Sequence, residues 1–375
     1  MAGIYLHIPF CKQACNYCDF HFSTSMKMKF DFVQAIIQEI ELRKDVFANE
    51  FISSVYFGGG TPSLLSKQDL DTIFEKLYKS FKIDADAEIT LEANPDDLTF
   101  EKIQQVKDSP VNRLSIGVQS FRDEDLKFMN RAHTAIEALN SIKMAQDQGF
   151  QNITIDLIYG TPGMSNEDWK YNLRKSFALN LPHISSYALT VEEKTPLHYQ
   201  ILKKNIGPVD EQQSADQFKI LMDEMLRNGY DQYEISNFCK GNSYSKHNSS
   251  YWKKNHYLGL GPSAHSYFGN LRMWNFSNNE KYVKSLSISK LPLEEEILST
   301  QEKYNEYVMT SLRTKWGCSL LEIEKDYTKS YLNYFKAQIK GHEMNGCIVE
   351  NKGVYTLSEK GKLIADLITS DLFFI

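Results

Sequence analysis

The chain has 375 residues, 42% of them hydrophobic and 24% charged, with a formal net charge of −6. That balance predicts a globular protein with room for about two compact units, and it excludes a disordered or fibrous chain. An acidic chain is also a poor match for broad nucleic-acid binding, which needs a basic face.

The opening residues carry neither the basic start nor the apolar run of a signal peptide. No apolar stretch reaches the roughly 18 residues of a spanning helix, so no membrane segment and a cytoplasmic location are expected. Six cysteines in a chain this long do not make a disulfide framework. Three of them are clustered. Cys239, Cys318 and Cys347 are scattered and read as small buried apolar residues.

In chain order, a strand is predicted at Ile4–Ile8, followed at once by a loop holding Cys11, Cys15 and Cys18. The near-helical spacing of Phe32, Ile36 and Ile40 then predicts a helix over Phe30–Val46. The alternation repeats, with strands at Ser54–Phe57, Glu88–Glu92, Arg113–Val118, Ile153–Ile158 and Ile184–Leu189. Helices are predicted between them at Lys67–Phe81, Phe100–Lys107, Ala135–Gln148 and Glu167–Leu179. Repeated βα units demand a parallel sheet with right-handed crossovers. Six such strands fit an α/β fold, a partial (β/α)6 barrel of the TIM type, whose ligand site lies at the C-terminal strand ends. The cysteine loop belongs at that mouth.

A helix over Gln212–Asn228 and a strand over Tyr230–Ile235 complete a first domain, residues 1–238. Residues 239–290 are rich in Asn, Ser, Gly, Tyr and Trp, and their weak periodicity predicts an irregular, aromatic-rich segment packed on the barrel. The last domain, residues 291–375, has predicted helices over Glu295–Leu312, Leu320–Tyr327 and Ser330–His342. A hairpin within Cys347–Leu357 and a helix from Glu359 to Thr369 complete a small α+β, winged-helix-like unit. It carries more acidic than basic residues, which points to packing on the barrel mouth or a partner protein rather than to DNA.

The C-x3-C-x2-C run suits an iron–sulfur cluster: a cubane has four irons, so three thiolates leave one open to chelate a small molecule. The same cysteines with His7 or His21 would instead close a Cys3His zinc site. The second strand ends in Phe57-Gly58-Gly59-Gly60-Thr61-Pro62, where successive glycines let the backbone approach a ligand. Later strand ends each supply one polar residue: Glu92, Gln119 and Asp156. Polar groups inside apolar runs are costly without partners, and at successive strand ends they make a binding ring.

The cysteine loop resembles that of the S-adenosylmethionine radical superfamily. The segments Ile-Tyr-Leu-His-Ile-Pro-Phe-Cys, Gly-Gly-Gly-Thr-Pro, Gly-Val-Gln-Ser-Phe, Asn130-Arg131-Ala132-His133 and Ile-Asp-Leu-Ile-Tyr-Gly resemble its HemN-like, coproporphyrinogen dehydrogenase branch, over essentially the whole chain. The resemblance implies a 4Fe-4S cluster on Cys11, Cys15 and Cys18, S-adenosylmethionine on the open iron, and an electron donor. It further implies that Tyr5 and Tyr17 flank the cluster and cofactor, and that Gly59, Gly60 and Thr61 meet the methionine part with Glu92 close by. Arg131 would pair the carboxylate, as suits a guanidinium fork, and Gln119 and Asp156 would bond the ribose hydroxyls.

Two departures bear on the branch. Phe20 stands where the oxygen-independent oxidases carry another cysteine, and the first strand begins at residue 3 or 4 without the extension those oxidases have ahead of it. Lys246-His247-Asn248-Ser249-Ser250-Tyr251-Trp252 is similar to the H-N-x-x-Y-W signature of the haem chaperone branch. That similarity implies haem b as cargo, His247 on its iron, Tyr251 and Trp252 over a porphyrin face, and a haem-acceptor protein as partner; a homodimer stays open. His265, in Gly259-Leu260-Gly261-Pro262-Ser263-Ala264-His265, is the reserve ligand. The expected function is a haem chaperone. The alternatives are an oxygen-independent coproporphyrinogen III oxidase, decarboxylating two propionates through a deoxyadenosyl radical, and a zinc-stabilised binding module. Whether S-adenosylmethionine is cleaved stays open at this point.

Overall fold

The computed structural model describes residues 2–375. Strands β1 (Ala2–Ile8), β2 (Ile52–Gly59), β3 (Ile83–Ala93), β4 (Arg113–Gln119), β5 (Ile153–Tyr159) and β6 (His183–Ala188) pair in sequence order, all parallel. Helices occupy the crossovers, and three of them start at capping boxes in which Ser66, Thr134 and Ser165 exchange bonds with Asp69, Glu137 and Asp168.

The two faces of this sheet differ in chemistry, residue by residue. Ile4, Leu6 and Ile8 on β1, Val55 and Phe57 on β2, Ile89 and Leu91 on β3, and Leu114, Ile116 and Val118 on β4 are buried in one core with the helices. The alternate positions are polar or aromatic: Tyr5 and His7, Tyr56, Glu88 and Glu92, Arg113 and Ser115, Asp156, then His183 and Ser185. Since neighbouring strand residues point to opposite faces, this period of two puts an apolar surface outside and a polar one inside. Residues of β2 to β6 border one cavity, so the sheet is curled around it.

Beyond β6 the sheet adds β7 (Asp231–Gln232) and β8 (Asn237–Cys239), both antiparallel. On the other side, β9 (Tyr257–Leu260) lies parallel to β1, followed by antiparallel β10 (His265–Phe268), β11 (Leu271–Asn275) and β12 (Leu293–Ile297). The order is β12-β11-β10-β9-β1-β2-β3-β4-β5-β6-β8-β7. The first strand is therefore interior.

The strand expected over Tyr230–Ile235 is reduced to Asp231–Gln232 and the last expected helix is split into Glu359–Lys362 and Ala365–Asp371, but two other stretches differ more from the sequence expectation. The segment expected to be irregular holds β9, β10 and β11 and helices Lys246–Trp252 and Asn279–Ser287. Its strands have four to five residues, too short to show a period in sequence. Glu295–Ile297, expected to open the helix Glu295–Leu312, belong instead to the edge strand β12, and the helix starts at Thr300. Glutamates favour a helix by propensity, but here pairing with β11 decides.

A second core follows, built from helices Thr300–Leu312, Leu320–Asp326 and Lys329–Met344. It includes a three-stranded sheet in which β15 (Val354–Leu357) lies between β13 (Cys318–Ser319) and β14 (Ile348–Asn351). Cys239, Cys318 and Cys347 are all buried. Among the described residues no helix is long and apolar enough to cross a membrane.

Candidate functional site: a cysteine loop over a polar barrel interior

The loop after β1 is fixed to its surroundings by backbone bonds. Cys11 N–H donates to the Ser23 carbonyl (3.0 Å), Asn16 N–H to Met129 (3.1 Å), and Leu197 N–H to Asn16 (2.8 Å). Cys11, Cys15 and Cys18 are half-buried and border a cavity of about 420 Å³. The same cavity meets Tyr17, Gly59, Gly60, Thr61, Glu92, Gln119, Arg131 and Asp156. Of the residues expected around the cluster and its partner, only Tyr5 lies outside it, stacked on Tyr56 at 6.1 Å between ring centres. Tyr56, Asn94, Ser185 and Asn248 also border the cavity and escaped the sequence reading. Tyr56 and Ser185 sit on the same polar alternation as the residues that were found.

The donor chemistry fits a cluster better than a single ion. Among the described residues no three His, Cys, Asp or Glu side chains gather tightly enough to hold one metal ion. Three thiols around a shared cavity suit a cubane, in which each reaches a different iron. Burial pushes the Cys11 thiol up and the Cys18 thiol up to about 11. Metal loading must therefore release protons. Thr61 Oγ1 donates to Cys11 Sγ (3.5 Å) and Arg131 Nη1 to Cys15 Sγ (3.2 Å).

Arg131 gives its Nη2 to Asn94 Oδ1 (2.6 Å) and the Gly117 carbonyl (2.8 Å), while its buried Nε has no partner. An unpaired buried N–H beside a cavity is a vacancy for an acceptor. Glu92 accepts from Tyr56 Oη (2.7 Å) and Gly59 N–H (3.2 Å). Burial, with the nearby Asp156 charge, pushes its carboxyl up to about 7. Burial likewise lifts Asp156 to about 6. Gln119 holds φ at 67°, a left-handed conformation uncommon outside glycine, at the strand end where it meets the cavity.

The glycine run has a reason closer than a ligand. A Cβ on Gly58 would come within 3.0 Å of Tyr5, Tyr56 and Glu92, and one on Gly60 would meet the Phe10 carbonyl at 2.7 Å. Gly59, at φ 104°, would drive a Cβ to 2.6 Å from the His7 ring. The glycines let β2 end tightly against the cysteine loop, and Gly59 and Gly60 still face the cavity.

The H-N-x-x-Y-W segment is the helix Lys246–Trp252, lying across β1 to β3. Glu88 on β3 caps its start, accepting from the backbone N–H of Lys246 (3.0 Å) and of His247 (3.0 Å). His247 is 1% exposed and stacks on Tyr56 at 5.0 Å. Its Nδ1 bonds Ser54 Oγ (2.8 Å) and its Nε2 bonds Tyr251 Oη (2.9 Å). Burial lowers its pKa to about 3. Both ring nitrogens of His247 are thus occupied within the protein, and the ring is enclosed. Asn248 reaches the main cavity, whereas Trp252 packs with Arg313 of the second core at 6.0 Å. The motif helix works as a joint, and Glu88, its anchor, was missed from sequence.

A curled parallel sheet, a polar interior and a three-cysteine loop at its mouth define the class of radical S-adenosylmethionine proteins. The Radical SAM superfamily model matches residues 5–175. The heme chaperone HemW of Bacillus subtilis (strain 168) is 32% identical over 370 residues, covering 98% of this chain and 97% of the relative. HemW of Lactococcus lactis (strain IL1403) is 35% identical over 336 residues, covering 89% and 87%. The chain belongs to the HemW family within that superfamily. The solved coproporphyrinogen III oxidase (HemN) of Escherichia coli shares the fold, with a TM-score of 0.86 at 22% identity over 99% of this chain and 90% of that one. Membership of the superfamily implies a 4Fe-4S cluster and S-adenosylmethionine.

Proposed function

We propose that this chain is a haem chaperone: it binds haem and passes it to an acceptor protein, on a scaffold that also holds the cluster and S-adenosylmethionine. The observation that carries the reading is similarity to curated heme chaperones along nearly the full length of both chains. The presence of Phe20, rather than a further cysteine, in the loop after Cys18 agrees with it.

In this reading Cys11, Cys15 and Cys18 hold the cluster, and the bound pair supplies one-electron chemistry. Thr61 and Arg131 donate to the thiolates and so favour their charged form. The free Nε of Arg131 takes the carboxylate of S-adenosylmethionine. Glu92, held by Tyr56 and Gly59, accepts from its ammonium. Gln119 and Asp156 take the ribose hydroxyls, while Gly59 and Gly60 bound the methionine end and Tyr17 closes the cavity wall. Tyr5 supports this ring from behind through Tyr56. Three units share the work: a cluster-bearing barrel over residues 1–238, a sheet extension from 239 that structurally runs on through β12, and the C-terminal unit as a docking partner.

The test is an anaerobic haem titration of the cluster-reconstituted protein, followed by transfer to an apo-haemoprotein. Saturable binding of one haem per chain with transfer is expected. Production of 5′-deoxyadenosine and decarboxylated product from coproporphyrinogen III, without stable haem binding, would move the assignment to the oxidase.

A further inference from the structure

The sheet extension has one face turned away from the helices. On β10 and β11, Ser266 accepts from Arg43 Nη2 (3.1 Å) and Asn275 donates to Glu39 Oε1 (2.7 Å), so these positions face helix Lys29–Arg43. The alternate positions, His265, Tyr267 and Trp274, lie on the opposite face. There His265 stacks on Trp274 (6.1 Å, 28°) and Tyr257 on Tyr267 (6.1 Å, 27°). Tyr251 of the motif helix meets Tyr257 edge-on at 4.7 Å. Tyr5, Phe20, Tyr251, Tyr257 and His265 border a second cavity of about 390 Å³, a common size for small-ligand sites. Asp19 and Phe20, directly after Cys18, border both cavities, and Phe20 is 66% exposed.

Three histidines reach this second cavity. His7 is committed through both ring nitrogens, to Tyr5 Oη (3.2 Å) and the His21 carbonyl (2.8 Å). His21 Nε2 bonds Asn279 Oδ1 (2.7 Å). His265 is exposed, and among the described residues its ring nitrogens have no hydrogen-bond partner. Partial burial of the ring, with the nearby Arg272 charge, also lowers its pKa and favours the neutral imidazole. A neutral imidazole at the mouth of an aromatic wall is suited to a planar iron porphyrin: the rings take the macrocycle by stacking and the nitrogen lone pair takes the iron.

We propose that haem docks in this second cavity, beside the cluster loop, with His265 as its axial ligand. Binding forms one Fe–N bond and displaces a weak ligand from the iron, with no electron transferred. The proposal rests on the haem-chaperone reading and names the site that reading lacks.

Haem would be titrated anaerobically into the full, cluster-reconstituted chain, comparing wild type with His265→Ala, His265→Met and His247→Gln, with Soret spectra recorded throughout. His265→Ala is expected to bind about tenfold or more weakly, with loss of the imidazole-ligated Soret band and recovery of that band on adding free imidazole. His265→Met is expected to bind with a shifted band, which a merely structural role would not produce. His247→Gln is expected to keep the wild-type band. Wild-type affinity and spectrum in both His265 variants would overturn this site and leave the chaperone reading standing. No haem binding by the wild type would overturn that reading and the site with it.

Discussion

Glu92 is the residue at which the site's electrostatics become measurable. Its carboxyl is enclosed beside a second carboxyl, Asp156, and rises from 4.5 to about 7 on folding. Between those values the folded protein holds a proton that the unfolded chain has released. By linkage, this group's stabilising effect is present below pH 4.5 and is lost as pH rises through 7. Glu92→Gln has no such proton. In urea denaturation of the cluster-free protein, the wild type should therefore lose roughly 1–2 kcal/mol relative to Glu92→Gln between pH 4.5 and 8, the open cavity screening part of the effect. A pH-independent difference between the two would mean that folding leaves the Glu92 pKa unshifted. The same residue shows what sequence can reveal: a glutamate at the end of an apolar run announces itself, and Glu92, Gln119 and Asp156 were all legible that way. Tyr56 was not, because a tyrosine in a strand is as easily outer core as inner wall.

At the scale of elements, the helix Lys246–Trp252 joins parts of the chain that are distant in sequence. Its start is capped by Glu88 from β3, its second residue, His247, is bonded to Ser54 of β2, and just past its end Lys254 Nζ sits over the Tyr307 ring at 4.0 Å and bonds Tyr327 Oη at 3.0 Å. Glu88 also faces the buried Arg113 guanidinium at 3.8 Å. Removing that carboxylate uncaps the helix and leaves a buried cation without its partner. Glu88→Ala should cost about 3 kcal/mol in reversible denaturation, a far larger loss than truncating a solvent-facing strand glutamate. A change under about 0.5 kcal/mol, the scale of ordinary surface substitutions, would show that the cap bears no weight. The parallel barrel was legible from the regular alternation of strand and helix. The burial of His247 was not: the order of residues in a motif does not say whether its helix packs inward, and the partner Ser54 lies nearly two hundred residues earlier.

For the whole molecule, the twelve-stranded sheet stays open and has two edges. One is β12, whose Glu294, Glu295 and Glu296 are exposed, as is Ile297 at 75%. Charged side chains along an edge keep it from pairing with another sheet. Replacing all three glutamates with valine removes that protection and also moves the net charge from −6 toward −3. Concentration-dependent association in light scattering is expected of the variant under conditions where the wild type is unchanged. Equal behaviour of the two would show that the glutamates do not guard this edge. The sequence placed Glu295 and Glu296 in a helix, and only the pairing with β11 reveals the service they perform.

The interior position of β1 has a consequence in time. Ala2–Ile8 is made long before one of its two neighbours: β2 can join it early, but the other neighbour is β9, whose residues begin at Tyr257. At roughly 5–20 residues per second, the intervening chain takes on the order of ten to fifty seconds to synthesise. Throughout that interval the strand feeding the cysteine loop has one side unmet, and the neighbouring wall of aromatic residues does not yet exist. The cysteine loop is thus made early and completed late, so cofactor loading falls naturally after the sheet extension has been made.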